Sequence, residues 1–464
     1  MEHPLKEVPY LQVQCYSDHP EVYRMADQLV ESFLSTKQRL HKDKYVKSAR
    51  KLVASIWLHP SDRFRFSTTT GHFGKQRKQV WMSQKVLTLF NHMKVMQPAL
   101  VSLVAPAIAP AVAKDGVGRS AVYARTQEFM NGLQSLTVRD VVFDPDAPRI
   151  TLKVGEGKKG VFQPIPEQVK QEKWYRYTEE TLKRHAALLA ASNITYETGE
   201  LLSITDLTYN RRFRNSLEKT GRFYSSFINL PKATRNGVLF NGESAISIDF
   251  SGLHPHLILR LVQEKDTFTA VGLFGLTTEI DPYAVPGFGH LPRDVHKQLI
   301  NSLFNAKDRD GAWRALNSAY YLKDEEKQGY KVKIYSGRGK RQGQKAFPGN
   351  KAEAEKYIES FENYSPDLAV GIATGLGNLL QKIDSDIMLV AMRLCTDARI
   401  PLLPVHDEVV VPRSSYAEVV EVLKRAFAAV LKESGAWGGV PIKVNARGEE
   451  SVRATLTLGY AHNL

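Results

Sequence analysis

An α+β fold, with antiparallel hairpins set among amphipathic helices and a mostly helical, basic N-terminal region, is what this 464-residue sequence predicts. Three observations predict it. Apolar residues recur at helical spacing in several segments, other short runs alternate apolar and polar residues as strands do, and pairs of such runs are joined by turn signals. The 43% hydrophobic content suffices for a large core, and the length suggests roughly two to four domains.

In the first segment Val22, Met25, Leu29 and Phe33 recur at helical spacing, and a second helix is expected from Ser83 with Val86, Phe90 and Met93 on one face. The run "PALVSLVAPAIAPAVA" at 98–113 is shorter than the roughly 20 residues of a membrane span and is interrupted by Pro106 and Pro110, so it reads as buried segments. "VRDVVFD" and "RITLKV" flank "PDAP", which predicts a hairpin over 138–154. Helices followed by a hairpin describe a winged-helix-like module over 1–155, and equally many small α/β domains. The Gly-, Lys- and Pro-rich stretch 153–168 marks a boundary or hinge, and the helical segment "TEETLKRHAALLAAS" follows it. A basic, Gly-rich loop is expected over 323–350, around "GRGKRQGQK", either solvated or clamping a phosphate backbone.

Lys and Arg (63) exceed Asp and Glu (49), giving a formal net charge of +14 and a pI near 9.4. Such a surface attracts polyanions, nucleic acid first among them. Two cysteines, Cys15 and Cys395, exclude a disulfide framework and a cysteine-based zinc site. The N-terminus has no apolar core of the signal-peptide kind, and a cytoplasmic setting is expected.

The most informative stretch is "LLPVHDEVVVP" at 402–412, which reads as two apolar arms of a tight hairpin with His406, Asp407 and Glu408 at its tip. A carboxylate beside so much apolar surface needs a partner or a cation. Its counterpart lies in "AISIDFSGLHPHLILRL", where Ile246, Ile248 and Phe250 fall on one face of a strand and Ala245, Ser247 and Asp249 on the other, with Pro255 in the first turn of the helix that follows. Two carboxylates at strand ends in a basic chain suit phosphoryl transfer, because magnesium is held by one or two carboxylates and completes its shell with substrate phosphates. Alone, "HDE" also describes an exposed acidic turn, and "DFSG" an ordinary strand end. Between them, "LPRDVHKQLINSLFNA" at 291–306 starts at Pro292 and sets Arg293, Lys297, Asn301 and Asn305 along one side, with Val295, Leu299, Leu303 and Phe304 on the other. It would aim two cations and two amides at a triphosphate, although a plain amphipathic helix has the same pattern.

These residues resemble, in order, the family A polymerase core shared by bacterial DNA polymerase I and, more distantly, the single-subunit phage RNA polymerases. "TGRFYSSFINLPKATR" at 220–235 is similar to the Thr-Gly-Arg segment, "DFSGLHPHL" to motif A, "RDVHKQLINSLFNA" to motif B, "LQKIDSDIM" at 380–388 to the Gln-x-x-x-x-Asp-Ile segment with Gln381 and Asp386 in place, and "VHDE" to motif C. The likeness covers about 200–425. It implies a right hand with an antiparallel-sheet palm and helical fingers over 220–464, after a linker and thumb-like helices over 156–219. It further implies two Mg²⁺ ions, or Mn²⁺ in their place, on Asp249 and Asp407, with Arg293 and Lys297 on the incoming triphosphate and Lys297 as an acid toward the pyrophosphate. Arg222 and Gln381 would touch primer or template, and His406 and Glu408 would orient the primer end. Tyr224 and Phe223 are either base-stacking or core, and His254 with His256 is not expected to be a zinc pair.

The departures concern the sugar. The family's DNA polymerases carry Glu where this chain has His254; a Tyr followed by Gly is replaced by Asn305 and Ala306, and a Phe by Asn301. These losses open the site to ribonucleotides, and Asn305 could hydrogen-bond a 2′-OH; equally, His254 could fill the space of the Glu. The N-terminal region shows no Asp-x-Glu strand of a second two-metal site, so no 3′–5′ proofreading is expected. The resemblance thus implies a monomeric, DNA-directed DNA polymerase acting on primer–template DNA and nucleoside triphosphates, away from membranes, in a bacterial, plasmid or phage setting. The rivals are a primase or RNA polymerase, a metal-dependent nuclease, and a non-catalytic replication factor.

Overall fold

A computed structural model describes residues 15–34, 42–58, 63–65, 88–93, 100–105, 122–137, 141–143, 147–155, 161–250, 252–263, 281–324, 329–335, 342–347, 351–431, 437–446 and 452–458. It is a mixed α+β structure in two compact units: residues 1–182, 200–210 and 225–227 form the first, and 183–199, 211–224 and 228–464 the second. Among the described residues no helix is long and apolar enough to cross a membrane.

In the first unit the helices Pro20–Phe33 and Lys42–Leu58 pack together. Val22, Met25 and Leu29 are buried as the helical spacing predicts, and Phe33 packs at the edge of the same core. Residues 88–93 are helical, with Phe90 and Met93 buried; Ser83 and Val86 lie outside the described residues. This unit carries more sheet than its sequence suggests. Strands Arg63–Arg65 and Val101–Ala105 flank Val122–Arg125. The expected 138–154 hairpin does not form: Val141–Phe143 pairs with Cys15–Ser17, and Ile150–Val154 pairs with Val161–Gln163. Alternation identified both strands, but pairing partners are chosen by the whole fold, and here one partner lies far upstream.

In the second unit a sheet of antiparallel pairings is centred on the strand Glu243–Phe250. Ala245 through Asp249 pair with Pro412 through Glu408 on one side, and Ile246 through Phe250 pair with Ala446 through Ile442 on the other. Being central, this strand is buried on both faces, including Ala245 and Ser247, which the alternation placed opposite the apolar side. The helix Leu253–Gln263 follows, with Pro255 in its first turn. The helices Gly377–Asp397 and Tyr416–Leu431 pack on each other, and Phe427 of the latter meets Phe250 with ring centroids 6.5 Å apart. Both cysteines are buried, and neither forms a disulfide. The expected loop at 323–350 is corrected in part: Ala319–Asp324, Gly329–Ile334 and Gln344–Lys345 form a three-stranded antiparallel sheet. Its alternating Tyr, Val, Leu and Ile satisfy strand geometry, which a count of Gly and Lys conceals. Residues 336–341, the most basic part of the predicted loop, lie outside the described residues.

Candidate functional site

The hairpin Leu403–Val405 and Glu408–Pro412 turns through two residues, His406 and Asp407. His406 takes the left-handed conformation at φ 61° that such a tight reversal requires of its first turn residue. Glu408 was expected at the tip; instead it is the first residue of the second arm, facing Val405 on one side and Asp249 on the other. That pairing decides the geometry. Residues directly opposite in an antiparallel pair share a face, so Asp249 and Glu408 are neighbours, and the Phe250 N–H donates to the Asp407 carbonyl oxygen at 3.3 Å.

Three carboxylates therefore gather at one end of the central strand. The Asp249 carboxyl is pushed up to about 7, first by burial and then by the charges of Asp407 and Glu408, against which Lys297 and Lys232 pull it down. Glu408 is 6% exposed; its Oε2 lies 3.6 Å from Arg235 Nη2, and its Oε1 has no hydrogen-bond partner among the described residues. Asp249 and Asp407 form no ion pair among the described residues. A crowded set of hard oxygen donors is what a divalent cation would neutralise. The donor chemistry fits such an ion, and Asp249 and Asp407 are the residues that could hold it. Among the described residues no group of three or more His, Cys, Asp or Glu has the arrangement of a fuller metal cage, and a magnesium site completed by substrate does not need one.

The helix Arg293–Asn305 stands on Pro292 at its N-terminus. Val295, Leu299, Leu303 and Phe304 are buried as the pattern predicts, while Arg293 and Asn305 are exposed and Lys297 and Asn301 half-buried on the other side. Arg293 is already engaged: its Nε donates to Asp281 Oδ2 at 2.5 Å and its Nη2 to Oδ1 at 2.9 Å. Lys297 forms no ion pair among the described residues; its ammonium lies 5.9 Å from the Tyr283 ring centroid, and Arg293 lies over the same ring at 5.4 Å. Tyr283 is buried and its hydroxyl is held far above its ordinary range, first by burial and then by the charge of Asp407. Asn305 Nδ2 donates to the Asn301 carbonyl at 2.7 Å, and Asn301 Oδ1 is buried with no hydrogen-bond partner among the described residues.

A second acidic centre went unread in the sequence. Asp384 of the helix Gly377–Asp397 is 1% exposed, and its Oδ2 accepts from Arg222 Nη2 at 2.7 Å and lies 2.9 Å from His254 Nε2. Arg222 and His254 are thus tied to one carboxylate. The signal was present: Leu380, Asp384, Ile387, Met388 and Ala391 form one helical stripe, all buried, and an acid in an apolar stripe calls for a partner. Asp386 bonds the fully buried Arg211 and accepts from Lys382 at 2.5 Å, while Arg211 also donates to the Gly221 carbonyl and to Ser385. Gln381 is half-buried one turn ahead of Asp384 and makes no hydrogen bond among the described residues. His406 lies edge-on to Tyr224 at 6.2 Å; its pKa is lowered, first by burial and then by Arg222. Tyr224 carries Arg212 over its ring at 4.7 Å, whereas Phe223 is 3% exposed and belongs to the core. His256 is buried with Nδ1 2.8 Å from the Gly252 carbonyl, apart from His254's bond to Asp384.

No family model matches the chain, and no curated protein matches it. Among solved structures, the polymerase domain of Pol1 from M. smegmatis, in complex with DNA primer-template and dNTP, is similar over 67% of this chain and 59% of that chain, at 16% sequence identity and a TM-score of 0.30. The chain thus spans less than two thirds of that structure's length, and a likeness at this level does not establish a shared fold.

Proposed function

We propose that the chain is a template-directed nucleotidyltransferase, a DNA-directed DNA polymerase without proofreading, whose antiparallel sheet is the palm and whose helix Arg293–Asn305 belongs to the fingers. What supports this reading is the convergence of Asp249 and Asp407 at the end of one sheet, with the Lys297 charge acting on Asp249 from a helix that carries a second cation. Bound Mg²⁺ would lower the pKa of an attacking 3′-hydroxyl and stabilise the departing oxygen.

The chain's own residues do the rest. Asp249 and Asp407 supply the oxygens, Asp249 from the central strand and Asp407 from the two-residue turn of the hairpin paired with it, whose carbonyl accepts from the Phe250 N–H. Arg293 exchanges Asp281 for a phosphate of the incoming nucleotide, the same bidentate geometry on a more highly charged acceptor. Lys297, a point charge with no ion-pair partner among the described residues, neutralises the triphosphate and delivers a proton to the pyrophosphate as it leaves. Arg222, held by Asp384, and His406, held by Tyr224, face the primer end, with Gln381 beside the template.

Ribonucleotide use, as by a primase or RNA polymerase, is the second reading. The observation favouring it is that Asn301 carries a buried Oδ1 with no hydrogen-bond partner among the described residues, next to Asn305, where an amide can accept from a 2′-OH.

Extension of a labelled primer on a DNA template with Mg²⁺, run with dNTPs and with rNTPs, tests the reading. Extension by dNTPs that falls at least 10³-fold in Asp407→Ala is the expected result, on the scale of ~4 kcal/mol of transition-state stabilisation. Extension mainly by rNTPs moves the chain to primer or RNA synthesis. Degradation of DNA by Mg²⁺ and protein alone, or activity surviving in the variant, sinks the proposal.

A further inference from the structure

The three-stranded sheet in the second unit is used by none of the chemistry above. In it Tyr320 faces Lys333 on one side and Lys345 on the other, and Leu322 faces Lys331. Paired residues share a face. One face therefore carries the row Lys333, Tyr320, Lys345 and, beside it, Lys331; the outer lysines stand about 10 Å apart across the Tyr320 ring, two strand spacings. Tyr335 is two residues beyond Lys333 and packs edge-on to Tyr320, with centroids 5.5 Å apart at 89°. Lys331 is exposed, and Lys333, Lys345, Tyr320 and Tyr335 are half-buried. The three strands hold four lysines against one acid, Asp324 at the far end of the central strand.

The outer edge of the sheet is anchored. Gln298 donates its amide to the Tyr330 carbonyl at 2.8 Å and accepts from the Val332 N–H at 2.9 Å. Gln298 follows Lys297 on the helix Arg293–Asn305, so its side-chain amide bolts the strand backbone to the element that carries the two cations.

From this arrangement we propose that the Tyr320 face binds single-stranded nucleic acid, with bases stacked on Tyr320 and Tyr335 and phosphates held by Lys331, Lys333 and Lys345. Charge complementarity selects a polyanion. The aromatic pair beside the lysines selects one with exposed planar bases, which a duplex hides and an acidic peptide lacks. Resting on the polymerase reading, the occupant is the unpaired template strand approaching the nucleotide helix.

The test uses the full chain without nucleotides. Fluorescence anisotropy with a labelled single-stranded oligonucleotide, across a salt series, compares the parent, Asp407→Ala and the triple change Lys331→Ala, Lys333→Ala and Lys345→Ala. The triple variant should bind at least 10-fold more weakly, with the slope of log K against log salt reduced by about 2, since each phosphate contact on a single strand contributes ~0.7. Asp407→Ala should bind like the parent. Independently, Tyr320→Trp should gain indole emission that the single strand quenches and a duplex of the same length does not. Parent-like affinity and slope in the triple variant overturn the proposal, and so does unquenched emission in Tyr320→Trp at saturating oligonucleotide. Should the triple variant not fold, the Tyr320→Trp result decides alone. Loss of the polymerase reading has a different signature, the absence of primer extension by a parent protein whose sheet still binds.

Discussion

Asp249 enters the folded state with its carboxyl pushed up to about 7 from 3.8, first by burial and then by Asp407 and Glu408. Between those two values the folded chain holds a proton that the unfolded chain has released, so stability falls as pH rises from about 4 to about 7 and then levels off. At ~1.4 kcal/mol per pKa unit the cost reaches several kcal/mol. Asp249→Asn should therefore be more stable than the parent at pH 8, and the advantage should shrink toward zero near pH 4, as read from denaturant midpoints at both pH values. Mg²⁺ should raise the parent's melting temperature at pH 8 and leave Asp249→Asn nearly unmoved. An equal response of both proteins to Mg²⁺ would remove Asp249 from the ion's neighbourhood.

At the scale of elements, the helix Gly377–Asp397 is organised around an acid within its apolar stripe. Asp384 is 1% exposed, and its carboxylate holds both Arg222 and His254. Removing one partner of a buried pair leaves the other charge desolvated, which typically costs ~3–5 kcal/mol. Asp384→Ala should show a loss of that size in chemical denaturation, and Asp384→Asn, which keeps an acceptor for Arg222, a smaller one. His254→Ala should cost least, because it leaves the Arg222 pair intact. Equal losses in all three would mean that the helix responds to packing alone. The stripe was legible in the sequence; its partners were not, since Arg222 and His254 come from separate, distant segments. The helix Arg293–Asn305 shows the opposite balance: its buried side followed directly from the 3.6-residue period, yet the Asp281 engagement of Arg293 was invisible.

At the scale of the whole molecule, a formal net charge of +14 makes binding to a polyanion dependent on salt. For about six phosphate contacts, affinity for primer–template DNA should fall roughly 10³-fold between 50 and 200 mM salt. Asp407→Ala should follow the same salt dependence while losing catalysis. A titration that is flat in salt would contradict the electrostatic account for parent and variant alike.

What the sequence by itself determined is local. The helix at Pro20–Phe33, the helix at Arg293–Asn305, the strand that carries Asp249 and the hairpin through His406 and Asp407 all follow from periodicity, proline placement and turn chemistry within a few residues. Order along the chain also suggested that Asp249 and Asp407 belong together, because each is a carboxylate stranded beside apolar strand residues. Only the tertiary structure decided the pairings: Glu408 against Asp249, Val141–Phe143 against Cys15–Ser17, and Asp384 with Arg222 and His254. It also turned a stretch read as basic loop into a sheet tied to the helix Arg293–Asn305 by Gln298. The reason is physical. Backbone conformation is governed by neighbours in sequence, whereas strand partners and buried charge pairs are chosen by which distant segments can together bury apolar surface and satisfy polar groups.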